Sequence, residues 1–240
     1  SKFYAKSADL DPTFEHLFSA HEFYWRAGEY TAALALGNLL IATAIVEFGE
    51  NSMIHANALN SHALSYKALG NYLTAEPLFL QAIEIGKLTI GEKHPDYATR
   101  LTNLAELYLR MGNYPPAEPL FLQAIEIGKA TIGVEHSDYA TRLSNLANLY
   151  RVMGNYPPAE PLFLQAIEID KVTIGVEHPG YAIDLNNLAG LYDVMGNYAE
   201  AELMFLKAIA ISEIALPLDH PQTKTIKANL AIMQAARDKG

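Results

Sequence analysis

Apolar residues recur along most of this chain at the three-and-four spacing of one helix face. Between Pro95 and Met111, the positions Ala98, Leu101, Leu104, Ala105 and Tyr108 fall on one side, which predicts an amphipathic helix, here called A. His94-Pro95-Asp96 supplies its start: proline is pre-set for the first helical position, and an acid in the first turn complements the helix dipole. Gly112-Asn113 ends it. A second run puts Ala117, Leu120, Phe121, Ala124, Ile125 and Ile127 on one side and predicts a helix B, with Gly133 as its left-handed C-cap. Pro119 is tolerated only in a first turn, where amides lack intrahelical partners anyway, so B is expected to begin no earlier than Pro115.

The A–B pattern returns at a fixed period. Gly28, Gly70, Gly112, Gly154 and Gly196 stand 42 residues apart, and each is followed two positions later by a tyrosine: Tyr30, Tyr72, Tyr114, Tyr156 and Tyr198. Gly49, Gly91, Gly133 and Gly175 form a second column, and His94, His136, His178 and His220 a third. Columns in register at one period mark stacked supersecondary units. Two helices joined by a tight Gly-Asn turn cannot bury all their apolar faces alone, whereas stacked pairs can. Small residues let the backbones approach: Ala105 and Ala117 within a pair, Ala124 beneath the next helix A. The predicted organisation is one array over 1–240, with a divergent first unit at 11–51, units at 52–93, 94–135, 136–177 and 178–219, and a capping helix at 220–240.

The order Leu101-x2-Leu104-Ala105-x2-Tyr108, then Ala117-x3-Phe121-x2-Ala124, resembles the tetratricopeptide signature, with Leu101 where tryptophan often stands. The ordinary tetratricopeptide unit has about 34 residues. Here the extra residues lengthen helix B, and the closing proline moves into the His-Pro pair that opens the next unit. With Asn-Leu-Ala in helix A and a Gly-x-x-His-Pro connector, this 42-residue form resembles the repeats of kinesin light chains and related bacterial proteins over roughly residues 50–230. The resemblance implies an all-α fold, a right-handed α-α superhelix (solenoid), whose A helices line a concave surface that holds an extended peptide or a partner protein.

Under that resemblance the polar positions of helix A are the candidate contact set. Asn60 and Asn186 share one column, Asn103, Asn145, Asn187 and Asn229 the next, and Asn148 lies one turn further on. Lys67, Arg110 and Arg151 follow the signature tyrosines. Side-chain amides carry paired donors and acceptors suited to an extended peptide backbone. An alternative role for the same amides is to hold neighbouring units together. Thr, Ser and Asn occupy the columns in which chaperone-binding arrays carry cations, which disfavours a clamp for two carboxylates.

Composition narrows the rest. Of 240 residues, 50% are apolar and 18% charged, so the chain is expected to fold throughout. A net charge of -10 argues against nucleic acid, whose binding depends on clustered Lys and Arg. The lack of cysteine excludes disulfides and thiolate metal sites and fits a cytoplasmic setting. Thr31 to Val46 is the most apolar stretch and falls short of the roughly 20 residues of a membrane span, which predicts a buried helix and no membrane partner. The column histidines occur once per unit, so stacking should hold them on the order of 10 Å apart, whereas zinc ligands lie within about 2 Å of one ion. Connector packing is therefore expected of them. No phosphate loop, nucleophile elbow or paired-carboxylate constellation is visible, so neither cofactor nor enzymatic activity is expected. The expected function is a non-enzymatic peptide- or protein-binding scaffold. Its alternatives are a structural array that self-associates end to end and a regulatory or sensor segment of a larger multidomain protein.

Overall fold

The structure, a computed structural model, describes residues 12–238, and the outermost positions of the expected array and cap lie outside the described residues. Its elements are α1 (Pro12–Arg26), α2 (Tyr30–Phe48), α3 (Met53–Ala68), α4 (Tyr72–Thr89), α5 (Pro95–Arg110), α6 (Tyr114–Thr131), α7 (Ser137–Val152), α8 (Tyr156–Thr173), α9 (Pro179–Val194), α10 (Tyr198–Ala215) and α11 (Pro221–Arg237). Odd-numbered helices are the A helices and even-numbered ones the B helices, with α11 the last A helix among the described residues. Two compact units divide within α6, residues 1–120 and 121–240. In the first, each helix from α1 to α5 packs on the next, and α3 also touches α5. In the second, α7 to α11 do likewise, and α9 touches both α7 and α11.

Local chemistry sets the ends. Gly112 takes a φ of 71°, open to glycine at little cost, and the chain curls back so that the Asn113 N–H donates to the Tyr108 carbonyl at 2.9 Å. Gly133 closes α6 in the same left-handed way, with a φ of 85° and its N–H on the Gly128 carbonyl. At the other ends the column histidines act as N-caps. The Nδ1 of His94, His136, His178 and His220 accepts the N–H two residues on, at 3.0 to 3.2 Å. The ring does here what Ser or Asp usually does, a more specific role than connector packing.

Helix B departs from expectation. α6 begins at Tyr114, one residue early, and Pro119 lies beyond its first turn, as Pro77 does in α4 and Pro161 in α8. Each ring removes one hydrogen bond, to the carbonyl four residues back. These prolines and the residues whose carbonyls they strand (Leu73, Pro115 and Pro157) are all exposed, so water satisfies the oxygen. The apolar helix α2 is 19 residues long with a mean hydropathy of 1.7, long and apolar enough to cross a membrane, which the shorter sequence reading missed. It nevertheless packs on α1 and α3, burying Ala33, Gly37, Leu40 and Ala44.

The core follows the period. Phe79, Phe121, Phe163 and Phe205 are at most 1% exposed and occupy one column of the B helices. Around Phe163 and Phe205 gather Ala147, Ala159, Leu185, Leu188, Ala189, Leu191 and Ala201. Small A-helix alanines facing a large B-helix ring are what allow the pairs to close.

Candidate functional site

The A helices open a cleft in each unit, more polar in the second than in the first. In the first, a cleft of about 160 Å³ is lined by Phe18 and Glu22 of α1, Asn57, Asn60 and Ser61 of α3, and Asp96, Thr99 and Arg100 of α5. In the second, a cleft of about 180 Å³ is lined by Arg151 of α7, Asn186, Asn187, Gly190, Asp193 and Val194 of α9, Phe205 of α10, and Asn229 and Ile232 of α11. Five of the candidates from sequence, Asn60, Asn186, Asn187, Asn229 and Arg151, therefore line a cleft wall. Residues missed by the sequence reading are Asn57, Asp96, Thr99 and Arg100, which precede Asn60 or Asn103 by one or two helical turns. Spacing of three, four and seven from the amide columns was the available signal.

The amides also bond to each other. Asn103 Nδ2 donates to Asn60 Oδ1 at 3.0 Å, and Asn229 Nδ2 donates to Asn186 Oδ1 at 2.9 Å, the same contact in both units. An amide carries two N–H groups and an oxygen, so this bond uses only part of its capacity. Cations are held less uniformly. Lys67 reaches Glu106 at 2.8 Å, while Arg151 donates twice to Asn148 Oδ1, at 2.7 and 3.2 Å. Arg110 is exposed at the end of α5, and Asn145 is half-buried on α7. A tyrosine strap ties pair to pair: the Tyr108 hydroxyl donates to Glu76 at 2.8 Å and that of Tyr192 to Glu160 at 2.9 Å. Burial and these carboxylates push both phenols up to about 12. Gln234, which replaces the tyrosine in α11, makes the equivalent bond to Glu202 at 2.7 Å.

Below the clefts one seam changes its chemistry. Arg100 is 3% exposed, donates to Asn57 Oδ1 at 2.7 Å, and lays Nη1 3.0 Å from where a Cβ on Gly86 would stand. Gly128 and Arg142 repeat the arrangement at 3.3 Å. One period further, the same positions hold Asp170 and Asp184, a buried carboxyl pair that the sequence reading had not seen because it joins two helices. Ser144 Oγ donates to Asp184 Oδ1 at 3.1 Å, and Asp184 Oδ2 has no protein donor. Asp170 lies within side-chain hydrogen-bonding reach of Asp184, so a proton held between the two carboxyls would supply one. Burial first, and Asp170 second, raise the Asp184 carboxyl to about 7.

A carboxyl raised in the folded state contributes stability that is complete below its unfolded value near pH 4 and is lost as pH rises through about 7. Asn at 184 keeps a permanent N–H toward Asp170. Asp184→Asn is therefore expected to gain about 1 kcal/mol over wild type at pH 8 and little at pH 4, read from urea unfolding at both values. A gain that is equal at both would remove the shared proton from the account.

Comparisons agree with this architecture. The tetratricopeptide repeat family matches residues 54–130 and 138–214, more than half of the chain. The chain is a tetratricopeptide repeat protein. Among solved structures, this tetratricopeptide array is similar to a Podosopora anserina protein described as a kinesin light chain with nearly identical TPR-like repeats, at 25% identity and a TM-score of 0.68, covering 85% of this chain and 97% of that one. BtubC (BKLC) from P. vanneervenii shares the fold at 20% identity and a TM-score of 0.67, covering 94% of this chain and 85% of that one. MamA shares it at 16% identity and 0.53, covering 87% and 98%. No curated protein matches the sequence. The all-α, kinesin-light-chain-like repeat expected from the columns is thus the fold of this tetratricopeptide protein.

Proposed function

We propose that the chain is a non-enzymatic scaffold whose A-helix clefts hold an extended peptide or a segment of a partner protein. The observation that carries this reading is a recurring contact: half-buried asparagines of consecutive A helices bond in each unit, Asn60 with Asn103 and Asn186 with Asn229, with Asn60 on the wall of the first cleft and Asn186, Asn187 and Asn229 on that of the second. Such a ladder reads backbone rather than side chains. Tetratricopeptide repeats commonly bind proteins, which supports the same conclusion. The absence of cysteine accords with a cytoplasmic setting.

Peptides selected from a random displayed library on the wild-type chain provide the test. Asn187→Ala with Asn229→Ala is expected to weaken the selected peptides about tenfold, the equivalent of one or two net hydrogen bonds, while the melting temperature falls by only the few degrees that the Asn229–Asn186 bond is worth. Undiminished affinity would remove the amides from the reading. Exposed Phe23 on α1, at 68%, and Ile232 on α11, at 66%, favour self-association as a second reading, and sedimentation at several concentrations separates the two.

A further inference from the structure

At the first helix pair, five columns depart from the repeat together. The A-helix alanine column (Ala63, Ala105, Ala147, Ala189) begins with His21, and the buried phenylalanine column (Phe79, Phe121, Phe163, Phe205) begins with Gly37. His62 stands where Leu104, Leu146, Leu188 and Leu230 follow, and Ser65 where Leu107, Leu149 and Leu191 follow. Asn38 replaces the leucine of Leu80, Leu122, Leu164 and Leu206. The replacements meet in space. The His62 ring fills the space left by Gly37, so closely that a Cβ there would lie 1.7 Å from its Nδ1. His62 Nε2 donates to Asn38 Oδ1 at 3.2 Å, His21 Nε2 pairs with Ser65 Oγ at 3.2 Å, and Tyr66 stands edge-on to His62. Both histidines are 1% exposed, and the Nδ1 of each is buried without a partner.

We propose that His21 and His62 form an acid-sensitive latch: protonation of the pair releases α1 and α2 from α3 while the rest of the chain stays folded. Neutral imidazoles fit this pocket, because each needs only one partner. Protonated ones would bury two like charges side by side and aim each Nδ1–H where no acceptor lies. Among the described residues, no carboxylate offsets the charge of either ring. α2 carries no titratable side chain between Tyr30 and Glu47. On α1, Glu22 is engaged by Arg26 at 3.1 Å, and on α3, Lys67 is engaged by Glu106 of α5 at 2.8 Å. His62 is pushed down by burial, and His21 by burial and then by His62 to about 4. A histidine lowered in the folded state contributes stability that is present above its unfolded value near 6.5 and lost as pH falls through about 4. Opening would also withdraw Phe18 and Glu22 from the wall of the first cleft.

Hydrogen exchange of the full chain, corrected for intrinsic rates, tests the latch between pH 7.5 and 5.0, with Trp25, the single tryptophan, as an optical reporter on α1. The α1 and α2 amides are expected to lose at least about tenfold in protection on acidification, with no loss in α9 to α11, where protonation of Asp184 acts in the opposite direction, and the Trp25 transition centred between pH 4 and 6.5. Equal protection of α1 and α2 at both pH values overturns the proposal. The double variant His21→Gln with His62→Gln, uncharged throughout, should show no acid loss. If it fails to fold, the consensus set His21→Ala, Gly37→Phe, His62→Leu and Ser65→Leu takes its place, and acid opening that persists in whichever variant folds refutes the latch.

Discussion

Phe163→Ala is expected to remove about 3 to 5 kcal/mol of unfolding free energy, the range for a large aromatic truncated in a core that cannot collapse around the gap. Phe163 is 0% exposed, and its ring is shared by helices on two sides, with Ala147 and Ala159 of one pair and Leu185, Leu188 and Ala189 of the next. Several of these neighbours are alanines, which have no side-chain reach with which to fill a hole, so relaxation would need movement of whole helices. Urea unfolding measures the loss. Leu164→Ala supplies the contrast, since Leu164 adjoins Phe163 in sequence but is 44% exposed and should cost under about 1 kcal/mol. Similar losses at both positions would mean that the phenylalanine column does not carry the packing.

The complementary change, Ala189→Leu, is expected to cost roughly 1 to 3 kcal/mol through overpacking. Ala189 is 0% exposed on α9 and shares a core with Ala201 and Phe205 of α10. Added methyl groups have no void to enter and must either push the two helices apart or force the phenylalanine off its rotamer. Thermal melting combined with exchange of the α9 and α10 amides reads both consequences. A neutral substitution would show that the alanine marks slack rather than close approach.

These positions were legible in the sequence for a simple reason. Alanine and phenylalanine columns at one period report packing that every unit repeats, and glycine columns report backbone torsions that other residues resist. What the sequence hid were features depending on a single unit or on distance. The sequence confined Pro119 to a first turn, where a missing amide costs nothing, whereas the structure tolerates it further in because Pro119 and Pro115, whose carbonyl it strands, are both exposed. The histidine column suggested packing, and only geometry showed a ring nitrogen receiving a backbone N–H. Asn103 and Asn60 were separate candidates until their bond across 43 residues became visible. Asp170 and Asp184 looked unrelated, because no local spacing joins a residue on α8 to one on α9.

That same seam constrains how such a protein can change. Gly86 with Arg100 and Gly128 with Arg142 are one solution, and Asp170 with Asp184 another. A lone change from Asp184 to arginine would set a longer, charged side chain against Asp170 and replace a protonated carboxyl pair by an ion pair. A lone change from Gly128 to aspartate would crowd the Arg142 side chain, whose Nη1 lies 3.3 Å from the site of a new Cβ. The two positions are therefore coupled, and an exchange of α8 or α9 segments with near-copies elsewhere in the chain changes both the space and the charge that the partner at this joint meets.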